Sequence, residues 1–600
     1  MSDHPRFCPL CRQTLKVSAK QYLYCPNVYN KAKPCTFRAI NLARSTGVTK
    51  NAPSAIAPLS TPSNEQKAIF DRVSQFTKSA THILINALAG TGKTTVLVQL
   101  VRILSQVLGM SVLGIAFAKR DKLTWEGRVN GAAKIFTSNG AGMSILSAYA
   151  RSQGKRLEVN NSVDYQLLEN RWKEDGLIKI EGKERKWEES AQTLSAILHL
   201  VRQARTTLPL MHANPDYPSK PSNQDWMDLA DRFDIEVKTE SWPVVLTYAT
   251  WLFTELADLK VAMVMGIDFS GQVFLPVYHD LRPSTFYQTV LVDECQDQSF
   301  VNRMIVKKFL APSGKIIAVG DKFQAIYAWR GADKMALAEM AEMMGEHESF
   351  PLTLCRRCSK SVIKLAQCIV PAIQALPDAP EGSFNRLENE EELFQHLKEQ
   401  RKGLVLCRAN APLVSLALRL LASRVPAALA RSNIVEDLLR LIDHLSQGDD
   451  TLPATDLLEK LQEWAEEKLA KYAKHRDGVS KSQIVVDKVE CVKALADEEG
   501  VRTVGALKVK IDELFPKDTN ISAENIVLLS TIHGAKGGEA HSVYLLSPSK
   551  REASIFDEVW SDADDRDNTL YVAITRAQID IYFVGPMPTM ERFSEYDLVA

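Results

Sequence analysis

The chain has 600 residues, 45% hydrophobic and 24% charged, an ordinary globular composition with room for about four domains. Its uncharged apolar stretches, such as Val261 to Ile267, fall far short of the roughly 20 residues of a membrane span, and its start, MSDHPRFCPL, has no apolar signal segment, so membrane insertion and secretion are not expected. Lys plus Arg (73) balance Asp plus Glu (73), yet residues 1–50 carry nine basic residues against the single acid Asp3, a basic end suited to a polyanion.

Ten cysteines are too few for a disulfide scaffold, so a cluster of them reads first as metal-binding. Residues 1–46 hold such a cluster: Cys8, Cys11, Cys25 and Cys35 stand as C-x2-C-x13-C-x9-C, four thiolates that match a structural Zn²⁺ site. Residues 47–63, with three prolines, read as a linker. A first core is expected over 64–349. It opens with the strand HILINA, a Gly-rich turn, the helical TTVLVQLVRILSQVL and the strand SVLGIAF, which is the βαβ unit of a parallel sheet. From about 145 to 265 strands stop and helical patterns take over, an all-helical insertion; strands return at TVLVDE (289–294) and KIIAVGD (315–321). A second core over 350–600 carries GLVLCR, NIVLLSTIH, HSVYLL and DIYFVG, interrupted at about 437–520 by a charged helical insertion. The fold class is therefore α/β, two parallel-sheet P-loop cores with helical insertions and a small N-terminal zinc ribbon.

Ala87-Leu-Ala89-Gly90-Thr91-Gly92-Lys93-Thr94-Thr95 follows a strand and opens a helix. Backbone N–H groups of such a loop cradle phosphates, Lys93 reaches the β and γ phosphates, and the Thr94 hydroxyl binds Mg²⁺. Ala87 stands where the strict pattern has its first Gly. TVLVDE ends in two acids, so Asp293 can hold Mg²⁺ and Glu294 can polarise an attacking water. An NTP hydrolase follows.

Four further segments occur in order: Asp293-Glu-Cys-Gln-Asp297; Gly320-Asp-Lys-Phe-Gln324-Ala-Ile-Tyr327-Ala-Trp329-Arg330-Gly-Ala332; Ser530-Thr-Ile-His533-Gly-Ala-Lys-Gly-Gly-Glu539; and Leu570-Tyr-Val-Ala-Ile-Thr-Arg576-Ala577. The set resembles the UvrD/Rep type of superfamily 1 helicases, within it the F-box DNA helicase branch, over roughly residues 60–590. The resemblance implies two RecA-like cores and a motor on single-stranded DNA, moving 3′ to 5′. It implies that Gln66 reads adenine, Gln324 senses the γ phosphate, Glu539 holds the ribose, and Arg357 and Arg576 are arginine fingers. It further implies that Phe117, Asn139, Tyr327, Trp329, Arg330 and His533 contact the strand or couple it to ATP. A lone Y-x-W-R would read as core aromatics; the motif frame is what turns it towards DNA. Departures are Asn139 where His is usual, Arg356 where an aromatic stacks on adenine, and Gly538 in place of Leu. The ribbon resembles those of type I topoisomerases.

Cys355, Cys358, Cys368 and Cys407 read as buried or free thiols rather than an iron-sulfur cluster, because two flank Arg357 and one lies within a strand. The expectation is thus an ATP-dependent DNA helicase using ATP, Mg²⁺ and structural Zn²⁺. Its partners would be single-stranded and partial-duplex DNA together with replication or recombination proteins, with no membrane contact. The location expected is cytoplasmic: on the nucleoid in a bacterium, in the host cytoplasm for a virus. The alternative is a DNA-stimulated translocase that strips protein from DNA without processive unwinding, to which the short second insertion is suited.

Overall fold

Apolar, β-branched runs form the centres of two sheets because a parallel strand is covered on both faces and needs no polar alternation. The computed structural model describes residues 16–17, 22–24, 40–41, 56–59, 61–76, 81–181, 184–187, 191–207, 221–233, 235, 237–326, 335–408, 410–429, 434–472, 485, 488–489, 492–493, 495–496, 501–514, 523–547 and 563–585. The chain divides into two units. One comprises Met1–Ala87, Gly92–Lys322 and Tyr327–Leu352, the other Leu88–Thr91, Phe323–Ile326 and Thr353–Ala600.

The first unit is built on a six-stranded parallel sheet in the order His347–Leu352, His82–Ala87, Leu310–Gly320, Tyr287–Val292, Val112–Ala116, Lys134–Thr137. Its inner strands are buried almost throughout, as with Ile83 to Ile85 and Val290 to Val292. The outer strands KIFT and HESFPL are half-exposed and mix polar with apolar residues, which is why they carry no clear strand signal. In the inserted segment, helices Val163–Glu174, Ala191–Thr206, Asn223–Arg232 and Trp242–Ala257 pack around Trp172, Trp226, Phe253 and Phe274. The Phe253 and Phe274 rings meet edge-on with centroids 5.5 Å apart.

The insertion is not all helix, which corrects the sequence expectation. Ile178–Glu181 and Glu184–Trp187 pair antiparallel as a hairpin. IKIE alternates with period two, but ERKW is three charged residues and a tryptophan, and each strand is only four residues long and is lost among stronger helical periods.

Helix Ser138–Ser152 packs so tightly on helix Gly271–Tyr278 that a Cβ on Gly142 would lie 2.1 Å from the Gln272 carbonyl oxygen. Backbone cannot yield as a side chain does. Gly142→Ala is therefore expected to cost about 1–3 kcal/mol of stability, read as a lowered urea midpoint.

The second unit holds another six-stranded parallel sheet, ordered Ser383–Leu387, Ala577–Val584, Ala540–Leu546, Gly403–Cys407, Val527–Thr531, Ala427–Leu429. Helices Ile434–Ser446, Ala454–Tyr472 and Val504–Leu514 belong to the inserted segment and share one apolar cluster with the helix Asn410–Ala422. At the N-terminus, Lys16–Val17, Tyr22–Tyr24 and Ile40–Asn41 form a small antiparallel sheet; Cys8, Cys11, Cys25 and Cys35 lie outside the described residues. No described helix is long and apolar enough to cross a membrane.

Candidate nucleotide site

In the first unit, helix Lys93–Val101 begins at Gly92, whose φ of 86° is open to glycine at little cost. Lys93 is the first residue of that helix, and its ammonium lies 3.3 Å from Glu294 Oε1. Burial works against the Lys93 charge, but Glu294, Asp321 and Asp293 more than offset it and raise its pKa.

Asp293 and Glu294 leave the end of strand Tyr287–Val292. Glu294 adopts a left-handed backbone, φ 48°, which a non-glycine residue holds only under constraint. The constraint is visible. The Glu294 N–H donates to Asp293 Oδ1 (3.0 Å) and Gln296 Nε2 donates to Glu294 Oε2 (2.6 Å), while Gln296 Oε1 accepts from the Asp321 N–H (3.0 Å). Gln296 thereby ties the acidic end of one strand to the end of its neighbour, Leu310–Gly320. Burial, then the Glu294 charge, pushes the Asp293 carboxyl up to about 8, with Lys93 opposing and Asp121 adding to the rise. Asp121 itself is raised by burial and by Glu294.

The second unit includes Leu88–Thr91. Gly90 has φ 68°, the Ala89 N–H donates to the buried Tyr571 hydroxyl (3.0 Å), and the Gly90 carbonyl accepts from the Arg356 N–H (2.8 Å). Arg357 lies against the same glycine: a Cβ there would come within 3.4 Å of Arg357 Nε. Arg357 Nη1 stands 3.5 Å from Glu539 Oε2, whereas its Nε and Nη2 are buried with no oxygen or nitrogen partner among the described residues. Glu539 Oε1 also accepts from Gln578 Nε2 (3.1 Å). Gln324 is buried, and its carbonyl accepts from the Lys536 ammonium. Arg576 is buried with Nε on the Val572 carbonyl and Nη1 on the Gly538 carbonyl, both at 3.0 Å, so it joins its own helix end to the loop before Glu539.

Gln66 is the third residue of helix Asn64–Ser74. Its carboxamide oxygen accepts from the Ser63 N–H (3.1 Å) and its N–H donates to Ser63 Oγ (3.2 Å), a reciprocal cap that fixes the side chain on the first turn. Phe117 follows strand Val112–Ala116 and is half-buried. Asn139 Nδ2 donates to the Phe269 carbonyl (2.6 Å), and the Phe269 ring is 65% exposed. His533 sits in the turns after strand Val527–Thr531. Tyr327, Trp329 and Arg330 lie outside the described residues.

Sequence reasoning assigned no role to Gln296, Tyr571, Asp121 or Phe269. Gln296 and Tyr571 lay inside motifs it quoted, but what each touches depends on strand neighbours remote in sequence.

The residues present fit a magnesium nucleotide. Asp293 and Glu294 crowd negative charge that a hard cation would neutralise, and oxygen is the donor such a cation takes. Within the first unit, left-handed Gly92 at the helix start beside Lys93 is suited to phosphate oxygens; within the second, so are left-handed Gly90 and the Arg357 guanidinium against it. Among the described residues no group of three or more His, Cys, Asp or Glu side chains is placed to hold a metal by itself. Cys355, Cys358 and Cys407 are buried and Cys368 partly exposed, and none of the four is in a disulfide.

Residues 70–344 match the UvrD/REP helicase N-terminal domain and residues 453–584 the UvrD-like helicase C-terminal domain. The chain is also 23% identical over 528 residues to F-box DNA helicase protein 1 of Schizosaccharomyces pombe, covering 82% of this chain and 54% of that one, so it spans about half the length of this curated relative.

Proposed function

We propose that this chain, which matches the N-terminal domain of UvrD/REP helicases and the C-terminal domain of UvrD-like helicases, is a UvrD-like DNA helicase that couples ATP hydrolysis to 3′ to 5′ movement on single-stranded DNA and to duplex unwinding. The observation that carries the ATPase part is Lys93, largely shielded at a helix start and held by the charges of Glu294, Asp293 and Asp321. Bound Mg²⁺ and ATP supply the phosphoanhydride and the neutralising charge.

The protein's own groups do the rest. Lys93 and the N–H groups of Ala89 to Thr95 bind phosphate, Thr94 and Asp293 hold Mg²⁺, and Glu294 orients water and accepts its proton. Gln324, Arg357 and Arg576 meet the γ phosphate, Gln66 the adenine and Glu539 the ribose. Phe117, Asn139, Tyr327, Trp329, Arg330 and His533 serve the DNA strand, and the exposed Phe269 ring is a further surface on which a base can stack. Cys8, Cys11, Cys25 and Cys35 hold Zn²⁺, a reading supported by their spacing and by the paired strands Lys16–Val17 and Tyr22–Tyr24 between Cys11 and Cys25.

Since Gln296 aims Glu294, Gln296→Ala is expected to lower kcat about 100-fold with KM for ATP little changed, the signature of a mispositioned group. Steady-state ATPase assays read this directly; a rise in KM alone would place Gln296 in binding instead.

The function as a whole is tested by strand displacement on duplexes with a 3′ or a 5′ single-stranded tail, with Lys93→Ala as control. Unwinding of the 3′-tailed duplex alone, silent in the control, is expected. DNA-stimulated ATP hydrolysis with neither duplex opened selects the protein-stripping translocase.

A further inference from the structure

Cys355 and Cys358 enclose Arg356 and Arg357 in a C-x-x-C turn between strand Leu354–Cys355 and helix Lys360–Gln367, which starts on the Ser359 cap. Both are unbridged and buried, 0% and 2% exposed. The two thiols lie within hydrogen-bonding reach of each other, the Arg357 guanidinium contacts the Cys358 sulfur, and the Thr575 carbonyl, 3.7 Å from Cys358 Sγ, is an alternative acceptor for its single proton. A Cβ on Gly90 would stand 2.5 Å from Cys355 Sγ, so this sulfur lies directly under the phosphate-loop glycine.

The pair is chemically unequal. The bond from Cys358 and the nearby Arg357 charge hold the Cys355 thiol down to about 6 against the effect of burial, whereas Cys358, as donor and buried, is driven up. One sulfur is the nucleophile and the other is the thiol that resolves it.

We propose that Cys355 and Cys358 form a reversible oxidation site whose disulfide disarms Arg357. The inference rests on the reading of Arg357 as a phosphate-binding group of the ATPase. The oxidant is a hydroperoxide. The Cys355 thiolate attacks its terminal oxygen and the O–O bond breaks, leaving Cys355 sulfenic acid and an alkoxide or hydroxide that takes up a proton. The Cys358 thiol then attacks the sulfenic sulfur; the S–S bond forms, the S–O bond breaks, and hydroxide leaves with the Cys358 proton as water. Two electrons pass from the two thiols to one hydroperoxide.

The consequence is geometric. A disulfide draws the sulfurs to about 2.05 Å and closes a ring around Arg356 and Arg357. It removes the sulfur that contacts the guanidinium and shifts the backbone that lies against Gly90. Because both sulfurs are buried and Cys355 Sγ lies under Gly90, oxidation waits for the loop Leu88–Thr91 to move, and ATP engaged by the loop slows it.

The test treats the full-length protein with hydrogen peroxide, then alkylates free thiols and maps peptides by mass, with DNA-stimulated ATPase measured in parallel. Expected are a Cys355–Cys358 crosslink, a fall in turnover of at least about tenfold given the usual weight of an arginine finger, recovery with dithiothreitol, and slower crosslinking with ATP. Cys358→Ser should keep its own untreated rate through the same exposure. No crosslink, or a crosslink with turnover unchanged, overturns the proposal. Reduced protein that fails to hydrolyse ATP overturns the ATPase reading itself, and the two failures are distinguishable because the crosslink is read by mass.

Discussion

Arg357→Ala is expected to lower kcat for DNA-stimulated ATP hydrolysis by about 1,000-fold, with KM for ATP changed little and the melting temperature unchanged or raised. The two halves of that expectation have one cause. Arg357 Nε and Nη2 are buried without an oxygen or nitrogen partner among the described residues, so in the absence of phosphate the guanidinium is offset only by the Cys358 sulfur and the more distant Glu539 carboxylate. Truncating a guanidinium that served stability would lower the melting temperature; truncating one kept for a ligand would not. Arg357→Lys should rescue poorly, because an ammonium is a point charge and cannot present two N–H groups in a plane. A loss of tenfold or less, with a lowered melting temperature, would assign Arg357 to structure.

Breaking the Arg205–Asp268 pair is expected to cost about 3–5 kcal/mol, the usual penalty for leaving one buried charge unpaired. The pair is bidentate, Nη1 to Oδ2 at 2.9 Å and Nη2 to Oδ1 at 2.6 Å, with the side chains only 1% and 7% exposed. Asp268 Oδ1 also accepts from the Gly271 N–H (2.9 Å), and the Arg205 guanidinium lies 5.3 Å from the Phe274 ring centre. Arg205→Leu and Asp268→Ala should each lower the urea midpoint strongly, and the double variant should recover most of the loss. A pH series gives an independent reading. Burial pushes the Asp268 carboxyl up, but Arg205 and the hydrogen bonds outweigh it and hold it below the usual value. A depressed carboxyl stabilises the fold above its unfolded pKa of about 3.9 and ceases to do so as pH falls through its folded value. The gap between parent and Asp268→Asn should thus be full near neutrality and close below about pH 4. A gap independent of pH would show that the charge is not what matters.

How much of this was legible in the chain depends on burial. HILINA and TVLVDE stand out because strands covered on both faces are unbroken apolar runs, and Gly90 and Gly92 stand out because the backbone there turns left-handed. HESFPL and SFNRL do not, since half-exposed strands dilute their own pattern. Residue type pointed to Lys93, Asp293 and Glu294, whose chemistry few other side chains supply. It was silent on Gln296, Tyr571 and Asp121, whose importance lies in what they touch: a strand end, a loop amide and a carboxylate brought near by sheet order. Arg576 shows the converse. Its motif is plain in sequence, but only the structure shows its Nε and Nη1 donating to the Val572 and Gly538 carbonyls.

The parallel ladders also bear on how the molecule is made. Ser383 bonds Asp580 at a sequence separation of 197, and the Ile316 N–H finds the ring of His82 at a separation of 234. Each such closure forfeits chain entropy before any contact rewards it, so folding is slow compared with helical proteins of this size. On a ribosome the strand His82–Ala87 must wait for both of its partners until residue 352 has emerged, its edges open to other chains in the meantime. Cool, slow expression with chaperone support follows from the sheet order alone.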